Sequence, residues 1–504
     1  MQITQKSNPS NKPWLVLKFG GTSVGKFLNQ ITEVIVKGAL ETHRVVVVCS
    51  ARSNDVKSKG TTSRLIHASE EVLHTGSKSH LSIVQDILED HIEAVNAVIL
   101  NPDIRQQVIQ ELTAECRKLQ AFLTAAEVIN EVSPRSKDII IGCGEKLACI
   151  FVAAALKDKY VDAQYVSLER IVDKHFEAGK LDQSFYDYLA ERFAASVEDC
   201  ENRVPVVTGY FGSVPGGILH SIGRGYTDLT AALCAVGLQA EELQVWKEVD
   251  GIFTADPRKV PTARLLNIIT PEEAAELTYY GSEVIHPFTM EQVIRAQIPI
   301  RIKNVQNPAG NGTIIFPDSM SSKGGSPPPA PKFLLENGYQ LDLSRRHPTA
   351  VTIKDNVVVL NIHSNRKSVS HGFLANIFST LDRFGIIVDL ISTSEVHVSM
   401  ALSATLLDHN LEGALAELGK LGRVDVLRQM AILSLVGKQM RNMVGISGLL
   451  FATLAEAHVN IEMISQGSSE INISCVIEER KSKEALVAIH NTLIEKTNHA
   501  LLAE

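Results

Sequence analysis

The sequence has 504 residues, of which 45% are hydrophobic and 21% are charged. At roughly 150 residues per domain this length predicts about three domains, and the composition is that of a globular protein, which excludes a wholly disordered chain. Lysine and arginine number 49 against 57 aspartate and glutamate residues, a formal net charge of −8. Because nucleic-acid binding relies on an excess of positive charge, we expect no nucleic-acid partner.

The seven cysteines are dispersed and include no CxxC pair. This pattern argues against a zinc site or a disulfide framework and favours a reducing compartment. The polar N-terminus lacks the apolar stretch of a signal peptide, and the longest apolar run, 147–156, is shorter than the ~18 residues that span a membrane. We therefore expect a cytoplasmic protein with no membrane partner and no metal site.

Strand and helix patterns alternate over the range 14–316. WLVLKF (14–19) and VVVVC (45–49) are predicted to be buried strands, separated by a glycine turn and a helix over about 23–40. Further helices are predicted at about 62–75, 80–98 and 102–127, and further strands at 163–166, 204–208, 243–246 and 299–303. The alternation predicts an α/β domain whose mostly parallel sheet is sandwiched by helices.

The composition changes after this domain. The range 317–348 is rich in proline, glycine and serine and is predicted to be a linker or surface loop. Beyond it the chain repeats with a shift of 73 residues, because FSTL (378–381) recurs as FATL (451–454). Each copy has the pattern strand, helix, strand, strand, which predicts two small α+β modules, 349–430 and 431–504. Neither carries a convincing catalytic group, so we expect them to bind or pair.

The first motif with candidate chemistry is KFGGTSVG. It places Lys18 at the end of a strand, Gly20 and Gly21 in the turn, and the hydroxyls of Thr22 and Ser23 at the start of a helix. Backbone N–H groups at such a turn suit a phosphate. The motif is not a Walker A loop, because the lysine precedes the glycines. An ordinary strand-to-helix turn with a surface lysine is the alternative.

Two further loops concentrate charge. In GRGYTD (223–228), Asp228 either caps the following helix or orients a lysine towards phosphate, and Arg224 is suited to a bidentate contact with a carboxylate. The loop VWKEVDGIFTADPRKV (245–260) follows a predicted strand, at the end of the sheet where open α/β folds bind ligands. Both loops are therefore candidate parts of one site.

Two other positions have simpler interpretations. GCGEKL (142–147) puts Glu145 near the start of a predicted helix, where a solvated first-turn glutamate is the ordinary interpretation. His286 precedes a proline in SEVIHPFT, and a lone histidine there is more often structural than catalytic. The sequence has no hydrolase nucleophile elbow and no HExxH motif, so hydrolase functions rank low.

Taken in order, KFGGTSVG, GCGEKL, GRGYTD, WKEVDGIFTADPRKV, SEVIHPFT and IRIKNVQNPAGNGTII resemble the aspartate kinases of the amino-acid kinase family, most of all the fungal monofunctional members. The resemblance covers about 14–489 and includes the C-terminal pair, which is similar to the family's two ferredoxin-like ACT modules. It implies that ATP, with Mg²⁺, phosphorylates the β-carboxylate of L-aspartate to 4-phospho-L-aspartate, the first step towards threonine, methionine and isoleucine. A carboxylate is ionised at pH 7, so this reaction requires positioning and charge neutralisation rather than a general base.

The resemblance also implies roles for individual residues. Lys18 would contact the transferring phosphate, and Asp228 would hold Lys18 or the phosphates in register. L-Aspartate would be bound by Thr62 through a hydroxyl contact, by Glu145 through its α-ammonium group and by Arg224 through its α-carboxylate. The nucleotide would be bound by residues of two loops: Gly20, Gly21, Thr22, Ser23, Lys247, Glu248, Phe253 and Arg258.

One motif position departs from the bacterial pattern. Glu283 stands where many bacterial relatives have a lysine that helps to bind nucleotide, and an acidic side chain cannot do this directly. Either another cation, such as Lys247 or Lys259, replaces it, or this part of the nucleotide site is built differently. The loop 52–64 before Thr62 is also longer than in the bacterial pattern.

For the C-terminal pair, the resemblance implies an effector amino acid, threonine in fungal members. ACT modules commonly pair across subunits, so we expect a homo-oligomer, at least a dimer. Candidate effector residues come from SHGFLA, from VDLISTSEV and from the second repeat: Ser370, Phe373, Leu374, Asp389, Ser394, Glu395, Gln466 and Asn472. Apolar residues at helical spacing, such as Phe373 and Leu374, are more often core residues than ligand contacts.

Two alternative functions remain at this point. One is a kinase of the same family that acts on another acceptor: glutamate, N-acetylglutamate or a nucleotide. The combination of GRGYTD, WKEVDGIFTADPR and two ACT-type modules argues against it. The other is a catalytically inactive amino-acid sensor. Lys18, Arg224 and Asp228 argue against this alternative, because a sensor has no physical use for three charges beside glycine turns.

Overall fold

The computed structural model describes residues 5–54, 56, 59–74, 76–176, 181–212, 214–223, 225–280, 285, 287–316, 348–364, 372–394, 397–403, 408–438, 440, 443–467 and 471–495. These residues form two compact units. The first consists of Met1–Ile252, Asn267–Pro271 and Ile285–Pro317. The second consists of Phe253–Leu266, Glu272–Val284 and Asp318–Glu504, so two of its segments interrupt the first unit in sequence.

Among the described residues of the first unit, eight strands form one sheet in the order β3-β4-β2-β1-β5-β7-β8-β6. Its neighbouring strands are parallel, apart from the antiparallel pair β7 and β8. The strands are β1 Trp14–Phe19, β2 Arg44–Cys49, β3 Ala163–Val166, β4 Val204–Thr208, β5 Glu242–Lys247, β6 Ile268–Ile269, β7 Ile300–Asn304 and β8 Thr313–Ile315. The six strands predicted for this region are confirmed, each within one residue at either end.

Helices cover this sheet, which explains why β1 and β2 are continuous apolar runs rather than alternating ones. The helices of the first unit are α1 Gly21–Lys26, α2 Lys37–Ala39, α3 Thr61–Glu71, α4 Ser79–Val98, α5 Pro102–Ile129, α6 Pro134–Asp158, α7 Gln183–Glu198, α8 Ile218–Ser221, α9 Tyr226–Gly237 and α11 Pro287–Arg295. Helix α10, Pro271–Tyr280, belongs to the second unit in all but its first residue. The single helix predicted over 23–40 is divided, because α1 ends at Lys26 and a π-helical turn, Gln30–Val36, leads into α2.

Helix α6 is the long apolar helix of the first unit. By length and composition it is the one helix of the described residues that could cross a membrane, but 89% of its most apolar window is buried inside the fold. Its start is well defined, since Ser133 accepts a hydrogen bond from the backbone N–H of Ser136 (3.2 Å) and Pro134 fills the first helical position. This is the signature of a core helix, with Glu145 enclosed along its length.

In the second unit, the described residues form one antiparallel sheet in the order β10-β11-β9-β12-β14-β13. The strands are β9 Ala350–Ser364, β10 Val388–Thr393, β11 His397–Ser403, β12 Gly422–Val436, β13 Met463–Ser465 and β14 Asn472–Glu478. The helices are α12 Phe373–Arg383, α13 Asp408–Leu418, α14 Ile446–Glu456 and α15 Ser482–Ile489. The order strand, helix, strand, strand predicted for each repeat is present as β9-α12-β10-β11 and as β12-α14-β13-β14.

The two long strands, β9 and β12, are shared between the repeats. The C-terminal part of β9 pairs with the start of β12, as in Ser364 with Gly422, and its N-terminal part pairs with the end of β12, as in Ala350 with Val436. A local irregularity at Met430 separates the two pairings, and the register is the same on both sides of it. The sheet of the second repeat is therefore completed by the N-terminal part of β9, the first strand of the first repeat.

Candidate active site

Lys18, at the carboxyl end of β1, forms an ion pair with Asp228 (Nζ–Oδ1 2.7 Å). Their side chains are only 9% and 15% exposed, so removing either one would leave the other as a poorly solvated, uncompensated charge. Asp228 lies in the first turn of α9, whose N-cap is Gly225. The interpretation of Asp228 as the cap of this helix is therefore wrong, because its carboxylate is held by Lys18.

Glu145 is buried next to this pair. It accepts hydrogen bonds from the Thr227 hydroxyl (2.8 Å), from the backbone N–H of Tyr210 and from the Tyr226 side chain. Burial raises the pKa of Glu145 to about 7, although these donors and the charge of Lys18 lower it. Thr227 and Asp228 are neighbours in sequence. The start of α9 therefore holds the Glu145 carboxylate through Thr227 and the Lys18 ammonium group through Asp228.

The expectation of a solvated glutamate in a first turn is wrong for Glu145, since α6 begins well before it, at Pro134. Two glycines that suggest a helix boundary lie inside the helix instead. A Cβ on Gly142 would lie 2.3 Å from the Tyr210 ring, and one on Gly144 would lie 3.0 Å from Thr61. These glycines are explained by close packing of neighbouring elements on α6, which also encloses Glu145.

The turn after β1 is packed against the loop after β2. A Cβ on Gly21 would lie 2.2 Å from the carbonyl oxygen of Ala51, and the backbone N–H of Ser53 donates to the Gly21 carbonyl oxygen (2.9 Å). Ser23 is fully buried and its hydroxyl donates to the Glu248 carboxylate (2.7 Å). Glu248 is thus positioned on the predicted phosphate loop, through a contact that no sequence motif indicates.

Thr62 and Lys247 lie on elements that reach the same end of the sheet. Thr62 is in the first turn of α3, next to Thr61, whose methyl group is near Gly144 of α6. Lys247 ends β5, which pairs in parallel with β1 so that Lys18 is opposite Val245. The structure therefore brings Lys18, Glu145, Asp228 and the elements carrying Thr62 and Lys247 to one edge, with Gly20 and Thr22 in the β1–α1 turn.

The later part of the predicted nucleotide loop belongs to the second unit. The Arg258 side chain is 84% exposed and forms an ion pair with Asp256 (Nη2–Oδ2 2.9 Å). Phe253 is partly buried, and its backbone forms an isolated antiparallel β-bridge with Leu265. Lys259 forms an ion pair with Asp355 of the same unit (2.7 Å). Nucleotide contacts for these residues stay predictions. Three other residues singled out in the sequence lie outside the described residues: Arg224, Glu283 and His286.

The effector candidates of the first repeat have different environments. Phe373 packs against the core of that repeat, whereas Leu374 is 44% exposed, so the interpretation of Leu374 as a core residue is wrong. Helix α12 turns Leu374 away from the sheet. Asp389 forms an ion pair with Lys354 (2.7 Å), and Ser394 is exposed. Ser370 and Glu395 lie outside the described residues.

In the second repeat, Gln466 accepts a hydrogen bond from the Ser447 hydroxyl (3.1 Å). Asn472 is buried and its side-chain amide donates to Glu276. Their roles in effector binding stay predictions. Over the described part of the chain, no group of three or more histidine, cysteine, aspartate and glutamate side chains is arranged to hold a metal ion.

Three residues of the site carry no assigned role in the sequence motifs: Tyr210, Tyr226 and Thr227. Each contributes a hydrogen bond to Glu145. Thr227 and Tyr226 could have been suspected from their position between Arg224 and Asp228. Tyr210 follows the buried strand β4 after Gly209, a glycine whose added Cβ would lie 2.5 Å from Thr227. A glycine followed by a tyrosine at the end of a buried strand is therefore the sequence feature that could have indicated Tyr210 as a residue of the site.

Comparison with known proteins identifies the family of the chain. The sequence matches the Amino acid kinase family over residues 13–304 and an ACT domain over residues 433–493. It is 56% identical over 488 residues to the aspartokinase of Schizosaccharomyces pombe, a match that covers 97% of this chain and 94% of the relative. The chain belongs to the aspartokinase family.

Other aspartokinases are similar over nearly the whole length. The Saccharomyces cerevisiae enzyme is 53% identical, with 99% of this chain and 96% of the relative covered. The crystal structure of Escherichia coli aspartokinase III in complex with lysine and aspartate is 26% identical, with a TM-score of 0.75 and coverage of 95% of this chain and 99% of that chain. The predicted fold and the predicted phosphotransferase activity are confirmed: the protein is an aspartate kinase that uses ATP.

The contact between Gly21 and Ala51 predicts a difference between two adjacent glycines. Gly21→Ala places a methyl group against a backbone oxygen that cannot move easily, so we expect it to lower the free energy of unfolding by about 1–3 kcal/mol. Gly20→Ala is the matched control, because Gly20 has an ordinary φ of −72° and open space around an added Cβ. Urea unfolding of both variants checks the prediction, and equal destabilisation would contradict it.

Proposed function

We propose that this aspartate kinase transfers the γ-phosphoryl group of MgATP to the β-carboxylate of L-aspartate, giving 4-phospho-L-aspartate and ADP. The product would enter the route to threonine, methionine and isoleucine. The observation that carries the proposal is the pairing at the start of α9, where Thr227 holds Glu145 and Asp228 holds Lys18. This pairing supports a site for an ammonium group at Glu145 beside a cation, Lys18, for a phosphate.

In the proposed transfer, a β-carboxylate oxygen forms a bond to the γ-phosphorus while the bond from that phosphorus to the β–γ bridging oxygen breaks. The carboxylate is already ionised, so no proton has to be removed. Negative charge on the moving phosphoryl group needs a fixed cation, which Lys18 supplies from a position held by Asp228. Magnesium would enter with ATP, since phosphate oxygens and water are its usual ligands.

Recognition of L-aspartate would depend on Glu145. Its carboxylate is buried, oriented by Thr227 and Tyr210, and suited to accept the α-ammonium group. A desolvated ion pair of this kind discriminates strongly, because a ligand without the ammonium would leave the glutamate unpaired. Thr62 and Arg224 would complete the contacts to the amino acid.

The first prediction of this proposal concerns Lys18. Replacing it with methionine keeps most of the side-chain volume and removes the charge, so we expect kcat to fall by about 10²–10³-fold. The product is measured by trapping the acyl phosphate with hydroxylamine. Lys26→Met is the control, because Lys26 is an exposed lysine at the end of α1. Hydroxamate that forms without L-aspartate, or near-normal kcat in Lys18→Met, would contradict the proposal.

The second prediction concerns pH. The pKa of Glu145 is about 7 in the free protein, so below this pH the group is increasingly neutral and cannot pair with an ammonium. We expect kcat/KM for L-aspartate to fall about tenfold per unit as pH drops below about 7. The profile of kcat should be shifted to lower pH, because the bound ammonium stabilises the carboxylate.

Two variants test the assignment of this titration. Glu145→Gln should have a low kcat/KM that no longer changes in this pH range. Thr227→Val removes a donor to the ionised carboxylate, so it should move the midpoint to higher pH. A midpoint that stays in place in Glu145→Gln would show that another group titrates.

We also propose that threonine inhibits the enzyme through the second unit, and that the segment 253–266 is the part of the catalytic machinery it acts on. This segment carries Phe253 and Arg258, for which nucleotide contacts are predicted, yet it folds with the ACT-type modules. An effector that binds one arrangement of these modules more tightly than another would change the fraction of molecules in which the segment takes each of its positions.

The attachment of the segment is extensive. Ala255 and Val260 are buried in the core of the second repeat. The backbone N–H of Val351, in β9, donates to the Thr254 carbonyl oxygen (2.9 Å). The Thr254 hydroxyl lies 2.9 Å from Nε2 of His490, a fully buried residue directly after α15. These contacts join the segment to a strand and a helical turn of the second unit.

This attachment predicts the effect of His490→Asn. The substitution disturbs the bond to Thr254, so we expect KM for ATP and the threonine concentration for half-inhibition to change about fivefold, the equivalent of about 1 kcal/mol, with KM for L-aspartate unchanged. Ser474→Ala is the matched control, because it removes another buried hydrogen bond of the second unit, to Ser434 (2.7 Å). Equal effects of both variants would refute this coupling.

A further inference from the structure

A second buried carboxylate lies on α6, on the same face as Glu145. Asp138 is 2% exposed and precedes Glu145 by about two helical turns, so the two side chains point in the same direction from the helix. Burial raises the pKa of Asp138 to about 6, although hydrogen bonds from two backbone N–H groups lower it. Because a carboxylate is costly to bury, the contacts that stabilise Asp138 indicate its role.

Asp138 binds the chain that connects β4 to α9, residues 209–225. Its Oδ2 atom accepts a hydrogen bond from the backbone N–H of Ile218 (2.8 Å), a fully buried residue, and its carboxylate also accepts one from the N–H of Leu219. These are the first two residues of α8, where N–H groups have no partner within the helix. Asp138 therefore fastens the middle of the β4–α9 connection to α6.

Both ends of the β4–α9 connection reach Glu145. Tyr210, near its start, donates its backbone N–H to the Glu145 carboxylate, and Thr227, just after its end, donates its hydroxyl (2.8 Å). The chain thus leaves Glu145, is held at Asp138 and returns to Glu145. The two buried carboxylates of α6 hold one connection at three points.

Asp138 and Glu145 also act on the same two tyrosines. Burial raises the pKa of Tyr210 and of Tyr226, and the negative charges of Asp138 and Glu145 raise both values further. Such interactions weaken with distance, so both carboxylates lie close to both tyrosines. The Tyr210 ring packs on α6 at Gly142, which stands between the two carboxylates in the chain. The first part of the connection is therefore in contact with the helix that carries both groups.

The residues that precede α8 explain why the connection needs this attachment. Gly216 and Gly217 have φ values of 86° and 94°, conformations that L side chains rarely adopt. Glycine loses more conformational entropy on ordering than any other residue, so contacts must compensate for holding this pair in place. A Cβ on Gly217 would lie 3.2 Å from Pro134 in the first turn of α6, which shows how closely the two elements approach.

We propose that Asp138 is a positioning residue for L-aspartate, because it holds the β4–α9 connection so that the donors at both ends orient the Glu145 carboxylate. Without Asp138, these donors would have to be ordered when L-aspartate binds, and the affinity would fall by that free energy. Lys18 ends β1 outside the connection, so the transfer step should not change. This role of Asp138 rests on the proposed contact between Glu145 and the α-ammonium group.

Two substitutions of Asp138 in the full chain test this role. Asp138→Ala removes both hydrogen bonds to α8, so we expect KM for L-aspartate to rise about fivefold, with kcat and KM for ATP unchanged. Asp138→Asn keeps one acceptor oxygen and should raise KM for L-aspartate about twofold. It carries the test if Asp138→Ala does not fold.

Asn101→Ala is the matched control. The Asn101 side chain likewise accepts two backbone N–H groups at the start of a helix, those of Asp103 (2.9 Å) and Ile104 (3.3 Å) in α5. Its removal should lower stability and leave KM for L-aspartate unchanged. An equal rise of this KM in Asn101→Ala would overturn the positioning role of Asp138.

A double-mutant cycle measures whether Asp138 acts through Glu145. In the Glu145→Gln background, the Asp138 substitution should have little further effect on KM for L-aspartate, because residues that act together are not additive. A full effect in that background, or equal KM in wild type and both Asp138 variants, would overturn the positioning role. Unchanged KM for L-aspartate in Glu145→Gln alone would overturn the proposed role of Glu145 itself, and the role of Asp138 with it.

Discussion

The candidate active site depends on the placement of charges where water barely reaches them. Lys18, Asp228 and Glu145 are each largely enclosed, and each would be costly to bury alone. Helix α9 offsets this desolvation cost with two consecutive residues: Asp228 pairs with Lys18, and Thr227 donates a hydrogen bond to Glu145. A rotation of α9 by one residue would break both contacts, so the packing of this helix determines the positions of Lys18 and Glu145 together.

The parts of this arrangement that follow from local pattern could be predicted from the sequence. Continuous apolar runs define β1 and β4, and Lys18 and Asp228 stand next to glycine turns at the ends of such elements. The position of Glu145 could not be predicted in this way, because a glycine such as Gly142 is typical of a helix boundary. In the structure, the Tyr210 ring occupies the space that a side chain of Gly142 would fill. Tertiary packing, not local preference, places the glutamate in the middle of α6.

The assignment of 253–266 to the second unit could not be predicted for a different reason. Its partners are distant in sequence: Asp355 is 96 residues from Lys259, and His490 is 236 residues from Thr254. Neither Asp355 nor His490 belongs to a recognisable motif, and a buried threonine–histidine hydrogen bond has no periodic signature. The boundary between the two units therefore does not follow the order of the chain.

The strand shared by the two repeats has a consequence for folding during synthesis. The N-terminal part of β9 leaves the ribosome before the rest of the first repeat, but its partner in β12 is made only after that repeat is complete. Closing such a long loop has an entropic cost that precedes any gain from pairing. Once the C-terminal part of β9 has paired with the start of β12, the remaining residues are adjacent and in register. Pairing within the first repeat would therefore shorten the loop that has to be closed before the sheet of the second repeat can form.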